Sequence, residues 1–257
     1  MADQEYRQTR FRKGPGATEI ILVRHGESEP AVPGRPFPTV DGHSDPALAP
    51  EGRAQAERVA DRLADEQLDA LYVTKLRRTA ETAAPLAAQT GLVPVVAPEL
   101  HEVHLGEWEG GVLRQKVAER DPLVQRMMTE ERWDIIPGAE SEAGFAARVG
   151  DGLRNILAAH PDQRVALVCH GGVIGELLRQ AVESGRSFAF VGSDNGSISH
   201  LVDDRGRWIV RRFNDTSHLG GGLDLDAAPD LPGDRAPRRP ETQGTTADLV
   251  HSRRTTT

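Results

Sequence analysis

This chain's pattern predicts an α/β domain on a mainly parallel sheet, and three observations carry that prediction. The runs Ile20-Ile21-Leu22-Val23 and Arg164-Val165-Ala166-Leu167-Val168-Cys169 are short and largely apolar, as in strands covered on both faces. Stretches with helical periodicity alternate with the strand-like runs, as βα units require. Where the two runs end stand Arg24-His25-Gly26-Glu27 and His170-Gly171-Gly172. In open parallel sheets that end is where ligands bind. The tetrapeptide alone fits an anion site or a surface histidine at a strand end equally well.

The 257 residues suffice for one large domain or two small ones. The net charge of −8 gives no general attraction to nucleic acid, so an anion must be met by a local cluster. A single cysteine permits no internal disulfide and fits a reducing compartment, so a cytoplasmic location is expected. No apolar run reaches membrane-spanning length, and Met1 to Lys13 lacks the apolar segment of a signal peptide.

Residues 1–17 are polar, end in Gly14-Pro15-Gly16, and read as a flexible arm. From Pro30 to Pro46 neither a period of 2 nor of 3.6 appears, so a long loop is expected, with Arg35 and His43 in reach of a ligand or simply exposed. Pro50 and Glu51 suit a helix's first turn, and Ala54, Val59 and Leu63 give it an apolar stripe. Asp69 to Val73 reads as a strand ending at Thr74. A helix from Lys75 to Thr90 follows, stopped by Gly91, and Pro85 predicts a kink or break in it. Arg77 and Arg78 sit in its first turn, where the helix dipole disfavours cations; that misfit points to an anion site.

Val93 to Val96 reads as a short strand leading to the loop Leu100–Gly110, with His101, His104 and three acids. One or two short helices are expected to cap the crevice up to Arg132. Ser141 is an N-cap for a helix to about His160, with Phe145, Val149, Leu153, Ile156 and Leu157 on one face. Cys169 is expected buried in its strand, and a helix Val173–Ser184 follows. Asn195-Gly196-Ser197 is a turn, and Ser199–Asp203 with Arg207–Phe213 form a hairpin. Residues 217–257 read as a disordered tail.

Arg24/His25, the Thr74–Arg78 turn, Glu102 and His170 thus each follow a predicted strand, and a parallel sheet opens all four on one crevice. Two arginines there can neutralise an oxyanion. A neutral histidine can attack phosphorus through a ring nitrogen. The second histidine and the arginines can stabilise charge on the phosphoryl oxygens in transit. The glutamate can protonate the departing oxygen and then take a proton from water. No metal or cofactor is called for: the two histidines are zinc-ligand types, yet the arginines repel a cation and no third ligand is obvious.

The motifs Leu22-Val23-Arg24-His25-Gly26-Glu27-Ser28, Leu48-Ala49-Pro50-Glu51-Gly52-Arg53-Ala54, Arg78-Thr79-Ala80-Glu81-Thr82-Ala83, Glu102-x-x-x-Gly106-x-Trp108-Glu109-Gly110, Pro137-Gly138-Ala139-Glu140-Ser141 and Val168-Cys169-His170-Gly171-Gly172 stand in this order. Over roughly residues 18–216 the chain resembles the histidine phosphatase superfamily, in its phosphoglycerate-mutase-like branch. The resemblance implies a three-layer α/β/α sandwich whose mainly parallel sheet carries an antiparallel C-terminal strand. It implies His25 as the phosphorylated nucleophile, Glu102 as proton donor, and Arg24, Arg78 and His170 as the phosphate pocket. Ser28 and Asn195 are implied as further substrate contacts, and Arg77 as a surface or structural residue. The implied partner is a small phosphorylated molecule, with no nucleic acid or membrane, and a homodimer is compatible.

The departures bear on activity. Many relatives carry a phosphate-contacting Asn where this chain has Pro30-Ala31. Mutases flank the histidine after the proton donor with Arg and Tyr, and place a Lys downstream; here Val103, Leu105 and Leu113 stand at those places. A mutase must hold a second anionic end of its substrate, so these losses favour hydrolysis. The expected function is a metal-independent phosphomonoesterase of the histidine acid phosphatase type working through phospho-His25. The alternatives are a 2,3-bisphosphoglycerate-dependent mutase and a non-catalytic phospho-ligand binder.

Overall fold

The computed structural model describes residues 7–220. In β1 (Thr18–Arg24) successive side chains point to opposite faces. Ile20 and Leu22 pack on one side with Val149, Leu153 and Ile156 of α5 (Glu142–Ala159) and with Val173, Ile174 and Leu177 of α6 (Gly171–Ala181). Ile21 and Val23 pack on the other with Val59 and Leu63 of α1 (Pro50–Leu63) and Ala83 and Leu86 of α2 (Arg77–Thr90). In β6 (Arg164–Cys169) the same alternation sends Val165 and Leu167 to the first cluster and Ala166 and Val168 to the second. A strand with both faces covered reads as an unbroken apolar run, which is why these two were legible. Full burial of Leu22 or Leu167 contributes about 1.5–3 kcal/mol each.

The remaining strands are β2 (Thr39–Val40), β3 (His43–Ser44), β4 (Ala70–Val73), β5 (Val95–Val96), β7 (Ile198–Asp204) and β8 (Arg207–Asp215). The main sheet runs β5-β4-β6-β1-β7-β8, with β5, β4, β6 and β1 parallel and β7 antiparallel to β1. The expected three-layer α/β/α sandwich is therefore present. Register places the site. Arg24 pairs with Cys169, so His25 and His170 leave adjacent strands side by side. Tyr72 pairs with Leu167, which brings Thr74 to the same level. The two short helices expected before Arg132 are α3 (Val112–Glu119) and α4 (Pro122–Glu130); α3 lines the crevice, whereas Val124 and Met127 of α4 pack into the core. No helix among the described residues is long and apolar enough to cross a membrane.

Several local expectations are corrected. Pro85 does not break α2: the helix is continuous, held by buried Thr82, Ala83 and Leu86 on either side of the missing N–H. The loop 30–46 contains the β2–β3 hairpin, turned at Asp41 (φ 49°) and Gly42 (φ 83°). Asp-Gly is the dipeptide for a turn needing two positive φ angles, a signal present in the sequence. Of Val93–Val96 only Val95 and Val96 pair. Helix α6 starts two residues before Val173 and ends three before Ser184. Ser217–Leu219 is a short 3-10 turn packed near α1, not part of a disordered tail; 221–257 lie outside the described residues. Within the N-terminal arm, Lys13 Nζ pairs with Asp162 Oδ1 (2.9 Å) and the Phe11 ring lies under the Arg211 guanidinium (4.0 Å); residues 1–6 are not described.

Candidate active site

His25 emerges from β1 onto a backbone that approaches α1 too closely for side chains. A Cβ on Gly26 would lie 2.3 Å from Gly52 O, and one on Gly52 2.0 Å from Glu27 O. Gly26 N donates to Thr82 Oγ1 at 3.0 Å, joining this turn to α2. The buried imidazole of His25 has a fixed tautomer. Its Nδ1 lies 2.8 Å from Gly26 O, and a carbonyl only accepts, so Nδ1 carries the proton. Its Nε2 accepts from Arg78 Nε at 3.1 Å, and a guanidinium only donates. Burial first, then the Arg78 and Arg24 charges, push the His25 pKa well below the ordinary imidazole value. It is therefore neutral, with an unprotonated Nε2 beside a guanidinium, the form in which a ring nitrogen can attack phosphorus.

Arg78 is buried in the first turn of α2 and donates through Nη1 to Ser44 O at 2.7 Å. Burial lowers its pKa to about 10, so it stays charged near neutrality. Arg24, the last residue of β1, donates to Ser193 O, and a Cβ on Gly171 would lie 3.4 Å from its Nε. His170, the N-cap of α6, is fully buried; its ring sits 5.3 Å from that of His25, edge to face. Thr74 Oγ1 lies 3.0 Å from His170 Nε2, and Nδ1 has no partner among the described residues. Its pKa too lies well below the usual value, from burial and then Arg78 and His25.

Glu102 Oε2 accepts from Gly172 N (3.2 Å) at the positive end of α6, and Oε1 from Val103 N (3.0 Å). A Cβ on Gly172 would stand 2.5 Å from Glu102 Oε1, so the second glycine after His170 makes room for this carboxylate. All five side chains expected in the crevice except the fully buried His170 line one cavity of about 1040 Å³, and the His25 ring joins His170 to it.

With this arrangement of strand ends, imidazoles and guanidiniums, the family is decided by comparison. The family model for the histidine phosphatase superfamily (branch 1) matches residues 20–216. The chain belongs to the histidine phosphatase superfamily. Among its relatives, a phosphoglycerate mutase-like protein 4 of Arabidopsis thaliana is 34% identical over 205 residues, spanning 78% of this chain and 86% of that protein. A metal-independent phosphoserine phosphatase of the same plant is 34% identical over 228 residues, 82% of this chain and 90% of its own length. The solved structure of a mycobacterial glucosyl-3-phosphoglycerate phosphatase superposes with a TM-score of 0.66 at 30% identity, covering 77% of this chain and 99% of that one.

Two other expected contacts of this superfamily member fall differently from one another. Ser28 is buried on the cavity wall, where its Oγ accepts from Arg114 Nη2 at 2.7 Å. Asn195 borders the cavity, but its Nδ2 donates to His25 O (2.9 Å), so its amide braces the His25 main chain. Arg77 is exposed and pairs with Glu81, as expected of a surface residue. His43 lines the cavity, its ring against those of His101 (4.4 Å) and His104 (5.1 Å); Arg35 does not line it.

Sequence reasoning missed Arg114. It stands one residue after Leu113, where the absence of a cation favoured hydrolysis, and it lines the cavity. Its guanidinium donates to Ser28 Oγ and to Glu29 O (2.9 Å), lies over the Phe37 ring (5.6 Å), and forms no ion pair among the described residues. No periodicity in the capping segment marks it; only the fold brings α3 over the crevice.

Proposed function

We propose that the chain is a metal-independent phosphatase that hydrolyses a carboxylate-bearing phosphomonoester through a phosphohistidine on His25. The observation that carries this is the His25 tautomer: Nδ1–H on Gly26 O, and an unprotonated Nε2 that accepts from Arg78 Nε in the cavity. In this reading Nε2 attacks phosphorus in line with the leaving oxygen, and the P–O ester bond breaks as the N–P bond forms. Arg24, Arg78 and His170 take the charge on the phosphoryl oxygens, so the guanidiniums supply the positive charge a metal would otherwise bring. Glu102 gives its proton to the departing alkoxide. As a carboxylate it then takes a proton from water, whose oxygen displaces Nε2 and leaves inorganic phosphate.

The second part of the reading rests on Arg114. Its charge faces a cavity larger than a phosphoryl group needs, and its hydrogen bonds go to neutral oxygens. It contributes less to depressing the His25 pKa than Arg78 or Arg24 does, as a cation further from the nucleophile would. A leaving group with its own anion satisfies it. Relatives named for phosphoserine and glucosyl-3-phosphoglycerate, both carboxylate-bearing phosphomonoesters, support the same class.

The test is phosphate release from a panel of phosphomonoesters in the presence of a chelator. Wild type is expected to release inorganic phosphate and to prefer carboxylate-bearing esters. Arg114→Gln is expected to raise KM for those about tenfold, roughly one charged hydrogen bond, and to leave nitrophenyl phosphate within about twofold. Equal losses on both substrates would remove the carboxylate from the reading. Passage of the phosphoryl group to phosphoglycerate instead of water would favour the mutase alternative.

A further inference from the structure

Glu109 is joined to the site at one remove. Its Oε1 accepts from Leu105 N (2.9 Å), and its Oε2 from Ser44 N (2.7 Å) and from the Ser44 hydroxyl. Gly110 N, the next residue's, donates to Ser44 Oγ at 2.7 Å. The carboxylate therefore ties the loop after Glu102 to the end of the β2–β3 hairpin, and all its bonds to that hairpin fall on Ser44. The carbonyl of that same residue accepts from Arg78 Nη1 at 2.7 Å. Arg78 has no carboxylate partner among the described residues, and its other side-chain bond, Nε to His25 Nε2 at 3.1 Å, is the one an incoming phosphoryl group must disturb. Ser44 O is then the fixed anchor of the guanidinium.

We infer that Glu109 is a positioning residue: acting through Ser44, it fixes the carbonyl that holds Arg78 over His25. A carboxylate suits this place, because both of its oxygens face N–H donors on separate segments. Glutamine would turn its own NH2 against one of them, Leu105 N or Ser44 N, and the hairpin would shift. A misplacement near 1 Å of a group that orients the phosphoryl oxygens costs up to about 100-fold in rate. This inference rests on reading Arg78 as part of the phosphoryl pocket.

A double-mutant cycle tests it with nitrophenyl phosphate as substrate and inorganic phosphate as inhibitor. Glu109→Gln is expected to lower kcat/KM about 10- to 100-fold and to weaken phosphate inhibition in parallel. In an Arg78→Ala background the same substitution is expected to cost less than about threefold, since the group it aims is gone. Ser44→Ala removes the hydroxyl bond to Glu109 but keeps the main-chain N–H and C=O, so it is expected to lose less than Glu109→Gln does, and a larger loss would overturn the inference. Equal Glu109→Gln losses in both backgrounds would overturn the inference, as a merely structural role predicts them. A loss that grows with the basicity of the leaving group would also overturn it, by making Glu109 a proton donor. An Arg78→Ala variant with wild-type activity would instead sink the pocket reading itself. Should Glu109→Gln not fold, Glu109→Asp, which keeps the charge but shortens the reach, goes through the same cycle with the same criteria.

Discussion

His25→Ala is expected to lose on the order of 10⁴-fold or more in kcat/KM on every phosphomonoester, as removal of a covalent nucleophile does. The fold is expected to survive. The imidazole is buried, but its two hydrogen bonds go to Gly26 O and Arg78 Nε, and neither holds the sheet together. The truncation costs about 1–3 kcal/mol, within the range a domain of this size tolerates. Arg24, Arg78 and His170 remain, so inorganic phosphate is expected to bind within about tenfold of its wild-type affinity, one charged hydrogen bond or less. Loss of activity with retained phosphate binding and an unchanged circular dichroism spectrum separates a nucleophile from a structural residue. Activity above a tenth of wild type would remove His25 from the chemistry.

Glu102→Gln is expected to separate substrates by leaving group. An alkyl phosphate departs as a strongly basic alkoxide and needs the proton; nitrophenolate leaves without much help. General acid catalysis contributes about 10²- to 10⁴-fold, so losses of that size are expected on alkyl phosphates and less than about tenfold on nitrophenyl phosphate. The variant also disturbs geometry, because glutamine presents an NH2 where Glu102 accepts from Gly172 N and Val103 N. The informative quantity is therefore the ratio between substrates on one variant, not the absolute loss. A ratio unchanged from wild type would assign the proton to another group.

These outcomes were foreseeable in different degrees from the residues alone. The strand ends were legible because β1 and β6 are covered on both faces, and a doubly covered strand is an unbroken apolar run. Their parallel register then places His25 beside His170 with no further information. The misplaced cations Arg77 and Arg78 were legible together as a violation of helix-dipole preference, which does not choose between them; the resemblance selected Arg78, the one that is buried. Arg114 was not, because α3 is a short capping helix with no buried residue to give it a period, and its position over Ser28 is set by tertiary packing. Asn195 was found as a residue but not as a contact: a turn asparagine is visible in sequence, whereas its donation to His25 O depends on how the turn before β7 folds back. The β2–β3 hairpin was hidden by its two-residue strands, although Asp41-Gly42 announced the turn. The anchor for Arg78 went unseen with it, since it is a main-chain carbonyl of that hairpin and has no side-chain signature.

Rapid-quench trapping during turnover, with the phosphorylated residue mapped by mass spectrometry, addresses the nucleophile without any mutation. The geometry of His25 predicts a phosphoenzyme that is labile in acid, stable in alkali, and located on residue 25. A phosphoryl group found on His170 or on a carboxylate, or none trapped at any time during turnover, would contradict it.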